Sequence, residues 1–364
     1  MKFRTLLIFF LSIMMLGIAE EADAQRRRRP KPRGKYAARK KNNRKISHYR
    51  GGSRGFGRFK PYYFVGANVN AGNYFGDLAP VAKAASTDIS FTRPGFGLHG
   101  GVKFHNSVAL RAGFNWVRIS ADDFNSDPND ESSFVRYARN LSFRNDIKEF
   151  QLGLEISLLP NHGSLDQRLP LNAYLFVGGA IYHHQPMGKV PDADYQTDQS
   201  GNTAAPNAGE WVKLKPLGTE GQNLGIVDAY SNIEFSIPIA VGVTVRVPGT
   251  DLNAGLEIGL RYLFTDYIDD VSTNYVGSDQ FTDPLARIMA DRSAEPTSFR
   301  GDAREVDGLS INNVESGFFG AGFIGGGVDG AVRGNPNDND FIVISQLKLT
   351  YLFSSAPKRS AKFR

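Results

Sequence analysis

The chain has 364 residues, a formal net charge of +6, 39 glycines, 26 phenylalanines, 14 tyrosines and no cysteine. The lack of cysteine excludes a disulfide framework, and so much glycine argues against a helical body. Beyond the first residues no segment approaches the roughly 20 apolar residues of a spanning helix, which excludes a helical membrane protein.

Residues 1–24 have the layout of a secretory signal peptide. Lys2 and Arg4 precede an apolar run from Leu6 to Ile18, and Ala22-Asp23-Ala24 supplies a small-x-small cleavage site. Residues 25–60 then carry sixteen lysines or arginines and no acid. Such a run has too little apolar surface for a core, so it is expected to be a disordered basic arm. Residues 61–364 hold 25 basic and 34 acidic residues, so the positive whole-chain charge conceals an acidic body.

The body alternates apolar and polar residues with period two, the mark of strands with unlike faces. Eight strands are expected, at 62–74, 93–104, 107–119, 150–158, 171–183, 231–246, 252–264 and 341–353. Each is long enough for the roughly 9–11 residues a tilted spanning strand requires. Links at 105–106, 159–170 and 247–251 are short, whereas 75–92, 120–141, 184–230 and 265–340 are long. Short turns at one end and long loops at the other mark outer-membrane barrels. The expected fold is therefore all-β: an eight-stranded antiparallel transmembrane β-barrel over 61–353 with long extracellular loops. A basic tail follows at 354–364, and both termini fall at the periplasmic end. Trp116, Tyr262, Tyr351 and Phe353 suit aromatic girdles. The last strand also resembles the aromatic carboxy-terminal signal read by barrel-insertion machinery.

The alternation sends His99, Lys103, Arg111, Glu155, Glu234, Glu257, Arg261 and Lys348 inward. An eight-stranded barrel has room only for its own side chains, and buried charges must pair. A structural salt-bridge plug is the expectation, with a narrow channel or a catalytic set as the sharper alternatives. Enzyme signatures are poor. His183 and His184 are adjacent and point to opposite faces, which favours loop-facing histidines over a metal site. No phosphate-binding loop or nucleophile elbow stands in a fitting context. Gly325 to Gly327 reads as a flexible loop, and Asn335 to Asp340 as a turn into the last strand. No enzyme activity, cofactor or metal is expected. The arm suits anionic lipid, a cell-wall polymer or an acidic protein. Export removes it from nucleic acid.

Two segments go beyond generic patterning. Asn73-Tyr74-Phe75-Gly76-Asp77-Leu78 closes the first strand, and Phe264-Thr265-Asp266-Tyr267-Ile268-Asp269-Asp270-Val271-Ser272 closes the seventh. Together they resemble the PorG-like outer-membrane barrel family of the type IX secretion system of Bacteroidetes, whose pattern is N-Y-x-G-D-L and F-T-D-Y-x-D-D-V-S. The resemblance covers roughly 61–353. It implies an outer-membrane barrel that contacts a periplasmic ring of PorK- and PorN-like proteins and helps to assemble or anchor the export machine. The basic arm and tail depart from that family. From the residues alone, Asp77, Asp266, Asp269 and Asp270 are short acceptors that fix turns. Tyr74 and Tyr267 suit a membrane interface. The two motifs, one strand apart, are expected to form a rim.

Overall fold

The computed structural model describes residues 59–78, 93–126, 136–161, 165, 168–191, 195–198, 201–203, 207–293, 295, 297–298, 300–303, 332–336 and 339–354. The expected signal peptide, most of the basic arm, Gly325 to Gly327 and the tail after Ser354 lie outside these residues.

Eight long strands carry the fold. They are β1 (Tyr62–Phe75), β2 (Arg93–Lys103), β3 (Val108–Asp122), β4 (Ser142–Ser157), β5 (Leu171–His183), β6 (Ile233–Arg246), β7 (Leu252–Leu263) and β8 (Phe341–Ser354). Each pairs antiparallel with the next. β8 then returns to β1, with Tyr62 opposite Ser354 and Phe75 opposite Phe341. The sheet closes into a barrel, and closure leaves no unpaired edge. The β5–β6 ladder lapses at Ile237 and Pro238, since proline has no N–H to donate.

The period-two patterning becomes an outside and an inside. Outward stand Val65, Val69, Leu98, Phe114, Leu152, Phe235, Ile258 and Leu347, each half or more exposed or close to it. Aromatic pairs mark both ends of this apolar belt. Tyr63 stacks with Phe353 near the short turns, at 5.8 Å, and Phe75 stacks with Phe341 near the long loops, at 4.8 Å. β3 and β4 continue past the belt. There their outward residues turn polar, and Arg118 pairs with Asp146 at 2.5 Å. β4 accordingly begins at Ser142, not at 150 as the alternation predicts. Outside the belt the outward face is Arg144, Asp146 and Lys148, so the apolar-out signal is absent where the strand still exists.

The interior has two regimes, beyond the inward charge set that the alternation predicts. Toward the short turns it is polar. Toward the long loops it is apolar, with Val117, Ile119, Phe143, Ile147, Leu263 and Ile344 packed together. That core continues into the connections through Leu78, Ile268, Val271 and the short helix α1 (Pro284–Ala290), whose Ile288 and Met289 are buried. Asp283 caps α1 by accepting from Leu285 N at 2.9 Å. Two further short strands, Pro186–Lys189 and Trp211–Lys213, extend the sheet from β4. The described parts of the long connections thus form a packed cap on one end of the barrel.

Candidate functional site

The chemistry divides between the lumen and the rim beneath the cap. In the lumen, Glu257 on β7 is the hub. It accepts from Arg111 Nη1 at 2.6 Å, Lys348 Nζ at 2.8 Å and the Tyr174 hydroxyl at 2.6 Å. Arg111 also reaches Glu155 at 3.0 Å, and its guanidinium lies 3.7 Å over the Phe176 ring. Gly242 leaves space for the Tyr174 ring, which a side chain there would fill. The network joins β3, β4, β5, β7 and β8 across the lumen.

The expected charge set does not form one cluster. Arg111, Glu155, Glu257 and Lys348 come together. Arg261 is paired separately with Glu149, at 3.1 Å. Lys103 donates to Ser157 Oγ at 2.5 Å. Glu234 stands on the inward register near the long loops, half-buried, and makes no ion pair among the described residues. His99 lies 2.9 Å from the Thr350 hydroxyl. The sequence reading missed Glu149 and Tyr174. Glu149 shares its parity with Gln151 and Glu155, so a β4 drawn to its true start would have included it.

At the rim the two motifs meet. Tyr74 points inward and is buried, which corrects its expected place at a membrane interface. Its hydroxyl lies 2.5 Å from Asp269 Oδ2 and 2.8 Å from Asp340 Oδ1. A phenol has one proton to donate. Two such contacts therefore require one carboxyl to be protonated and to donate back. Burial pushes both acids well above the usual carboxylate range, helped by Asp77 beside Asp269 and by Asp269 beside Asp340. Asp269 Oδ1 accepts from Val271 N at 2.9 Å, and Asp340 Oδ2 from Ile268 N at 3.2 Å.

Asp270 adopts a left-handed φ of 70°, uncommon for a residue with a side chain. The Thr219 and Tyr230 hydroxyls hold its carboxylate at 2.5 and 2.6 Å. Burial pushes it up to about 6, with Arg333 opposing. Tyr267 is half-buried and stacks on Tyr230 at 4.8 Å. Asp77 Oδ2 accepts from Asn335 N at 2.7 Å, a partner far away in sequence and not a local turn. Leu78 and Asp266 are buried, Phe264 is exposed, and Asn73 and Gly76 are half-buried.

Two buried arginines tie the rim to the cap. Arg139 grips Asp123 with two bonds, at 2.7 and 2.9 Å, and reaches the carbonyls of Arg333 and Asp77. Arg333 bonds Glu220 at 2.8 Å and the carbonyls of Asp270 and Ala290. Glu220 in turn accepts from Ser272 N and from Thr273 N and Oγ1. His183 ends β5 exposed, whereas His184 is buried, its Nε2 2.9 Å from the Ser231 carbonyl. His184 is therefore not a loop-facing residue. Among the described residues no group of three or more His, Cys, Asp or Glu is arranged to hold a metal.

Fold and faces together define a small barrel of the outer-membrane type: closed, apolar around its girth and filled within. A family described as a domain of unknown function, DUF6089, matches residues 62–209. No curated protein matches the chain. Among solved structures, the attachment invasion locus protein Ail of Yersinia pestis is 8% identical, with 80% of this chain and 97% of that one covered and a TM-score of 0.30. Neisserial surface protein A is 8% identical, with 79% and 96% covered and a TM-score of 0.29. A major outer membrane protein from Thermus thermophilus is 10% identical, with 80% and 99% covered and a TM-score of 0.31. Scores this low carry no argument about function or partner.

Proposed function

We propose that this chain is a noncatalytic outer-membrane barrel of a type IX protein secretion machinery, where it anchors or assembles a periplasmic ring. The observation that carries the reading is the junction of the two motifs. Asn73 to Leu78 and Phe264 to Ser272 converge on one buried cluster at the long-loop end, through Tyr74 and Asp269. These are the segments on which the resemblance to PorG-like barrels rests. The membrane part draws on the apolar belt and its two aromatic margins, a surface that water would disfavour and lipid accepts. The noncatalytic part draws on the lumen, where Arg111, Glu155, Glu257, Lys348 and Tyr174 bond one another.

In this reading the short turns and both termini face the periplasm, and the cap faces outward. Ring proteins of the PorK and PorN kind then meet the short-turn end and the basic arm. Affinity purification of the tagged protein from crosslinked native envelopes tests this. The reading expects ring proteins to be recovered, and recovery of the barrel alone counts against it. A surface receptor or adhesin is the second reading, favoured by the packed cap with its own helix α1. It expects cap truncation to abolish adhesion and leave export intact.

A further inference from the structure

At the short-turn end the lumen opens into a cavity of about 60 Å³. One water needs roughly 10–15 Å³ on this measure, so a small oxyanion fits. The charged groups on its described wall are Lys103, Arg168 and Lys348 against Glu155. Most of them are already engaged. Lys348 is held by Glu257, and Glu155 by Arg111. Arg168 donates to Asn253 and to the carbonyls of Leu165, Thr250 and Leu252, with Asp251 at 3.8 Å.

Lys103 differs. Its residue is only 5% exposed, yet its ammonium bonds just the Ser157 hydroxyl, at 2.5 Å, and pairs with no carboxylate among the described residues. Glu155, on the same cavity wall, acts on it electrostatically but forms no ion pair with it and is held by Arg111; a buried cation without a bonded counter-charge is costly. A lysine offers three donors, so two are left beyond the Ser157 bond, on a residue that lines the cavity.

From this geometry we propose that the cavity seats a carboxylate carried by an acidic protein segment, with Lys103 as the primary contact. The strands wall the cavity off from the apolar belt, so access is axial, from the turns. The chain's own lead-in at this end, Phe59 and Lys60, carries no carboxylate side chain. It continues a run of sixteen cations and no acid over residues 25–60, which would draw an acidic polypeptide to the mouth. The inference rests on the proposed export role only in taking the anion to belong to a protein.

The test uses full-length protein in detergent micelles, titrated with a fluorescent oligoglutamate peptide at about 150 mM ionic strength. Lys103→Met is expected to weaken binding at least about tenfold, the worth of one charge-assisted bond. It should melt no lower than the parent, because it removes an unpaired buried charge. Lys103→Arg should restore most of the binding, and Ser157→Ala gives an independent variant of the same seat. Equal affinity for parent and Lys103→Met would overturn the proposal, as would a lower melting temperature without a binding defect. If acetate, phosphate or a peptidoglycan fragment takes over the Lys103-dependent signal, a protein carboxylate is not the ligand. The titration needs no secretion assay, so it can fail while the export role stands, and the reverse.

Discussion

Tyr74 and Asp269, 195 positions apart, share a hydrogen bond of 2.5 Å at the barrel rim. Asp340 joins them at 2.8 Å from the far side of the longest connection. Three segments that local sequence cannot pair are thereby fixed to one phenol. Tyr74→Phe removes that phenol's hydroxyl and leaves two buried acids facing each other. The expected cost is about 1–3 kcal/mol, the usual penalty for stranding buried polar groups. Thermal melting in micelles reads it, and an unchanged melting point would mean that the bridge contributes nothing.

The same acids make the cap pH-sensitive. Burial raises Asp269 and Asp340 well above 3.8 and Asp270 to about 6. A carboxyl whose value is higher folded than unfolded favours the fold in its protonated form. Its contribution is full below the unfolded value and is lost as pH rises through the folded one. Cap stability should therefore decline from mild acid through about 6 and onward into alkali. Limited proteolysis of the long connections should be faster at about pH 9 than at about pH 5. The barrel strands should resist at both.

Arg333 is one of the cap's two buried arginine ties, bonding Glu220 and two carbonyls. Arg333→Ala should cost about 3–5 kcal/mol, as breaking buried pairs does. The loss should be local. Proteases should cut within 265–340, while the barrel strands stay protected. Cleavage of both would show that the cap is needed to form the barrel.

Much of this architecture was legible in the sequence. Leu252 to Leu263 and Phe150 to Ser157 alternate cleanly because lipid on one side and polar groups on the other impose two faces. The start of β4 was not legible, because residues 142–149 lie above the belt with polar groups outside. Tyr74 was misread by position, although its parity with Asn68 and Asn70 already pointed it inward. The cap could not be read at all. Arg139, Glu220 and Arg333 come from three separate connections, and nothing local in any of them names the other two.

In the lumen, Glu257 serves Arg111, Lys348 and Tyr174. Glu257→Leu leaves Lys348 without its carboxylate, while Arg111 retains Glu155, and should cost about 3–5 kcal/mol. Adding Lys348→Met should recover part of that loss, because Arg111 keeps Glu155 at 3.0 Å. A double-mutant cycle on melting data measures the coupling. Strictly additive effects would mean the plug is not a cooperative network.

The role proposed for this barrel is in protein export. The most direct measurement is the amount of type IX cargo released by cells with the gene deleted, against the same cells carrying it back. Cargo is expected to stay cell-associated in the deletion and to be released again on complementation, with the protein found in the outer-membrane fraction. Normal release from the deletion strain would contradict that role.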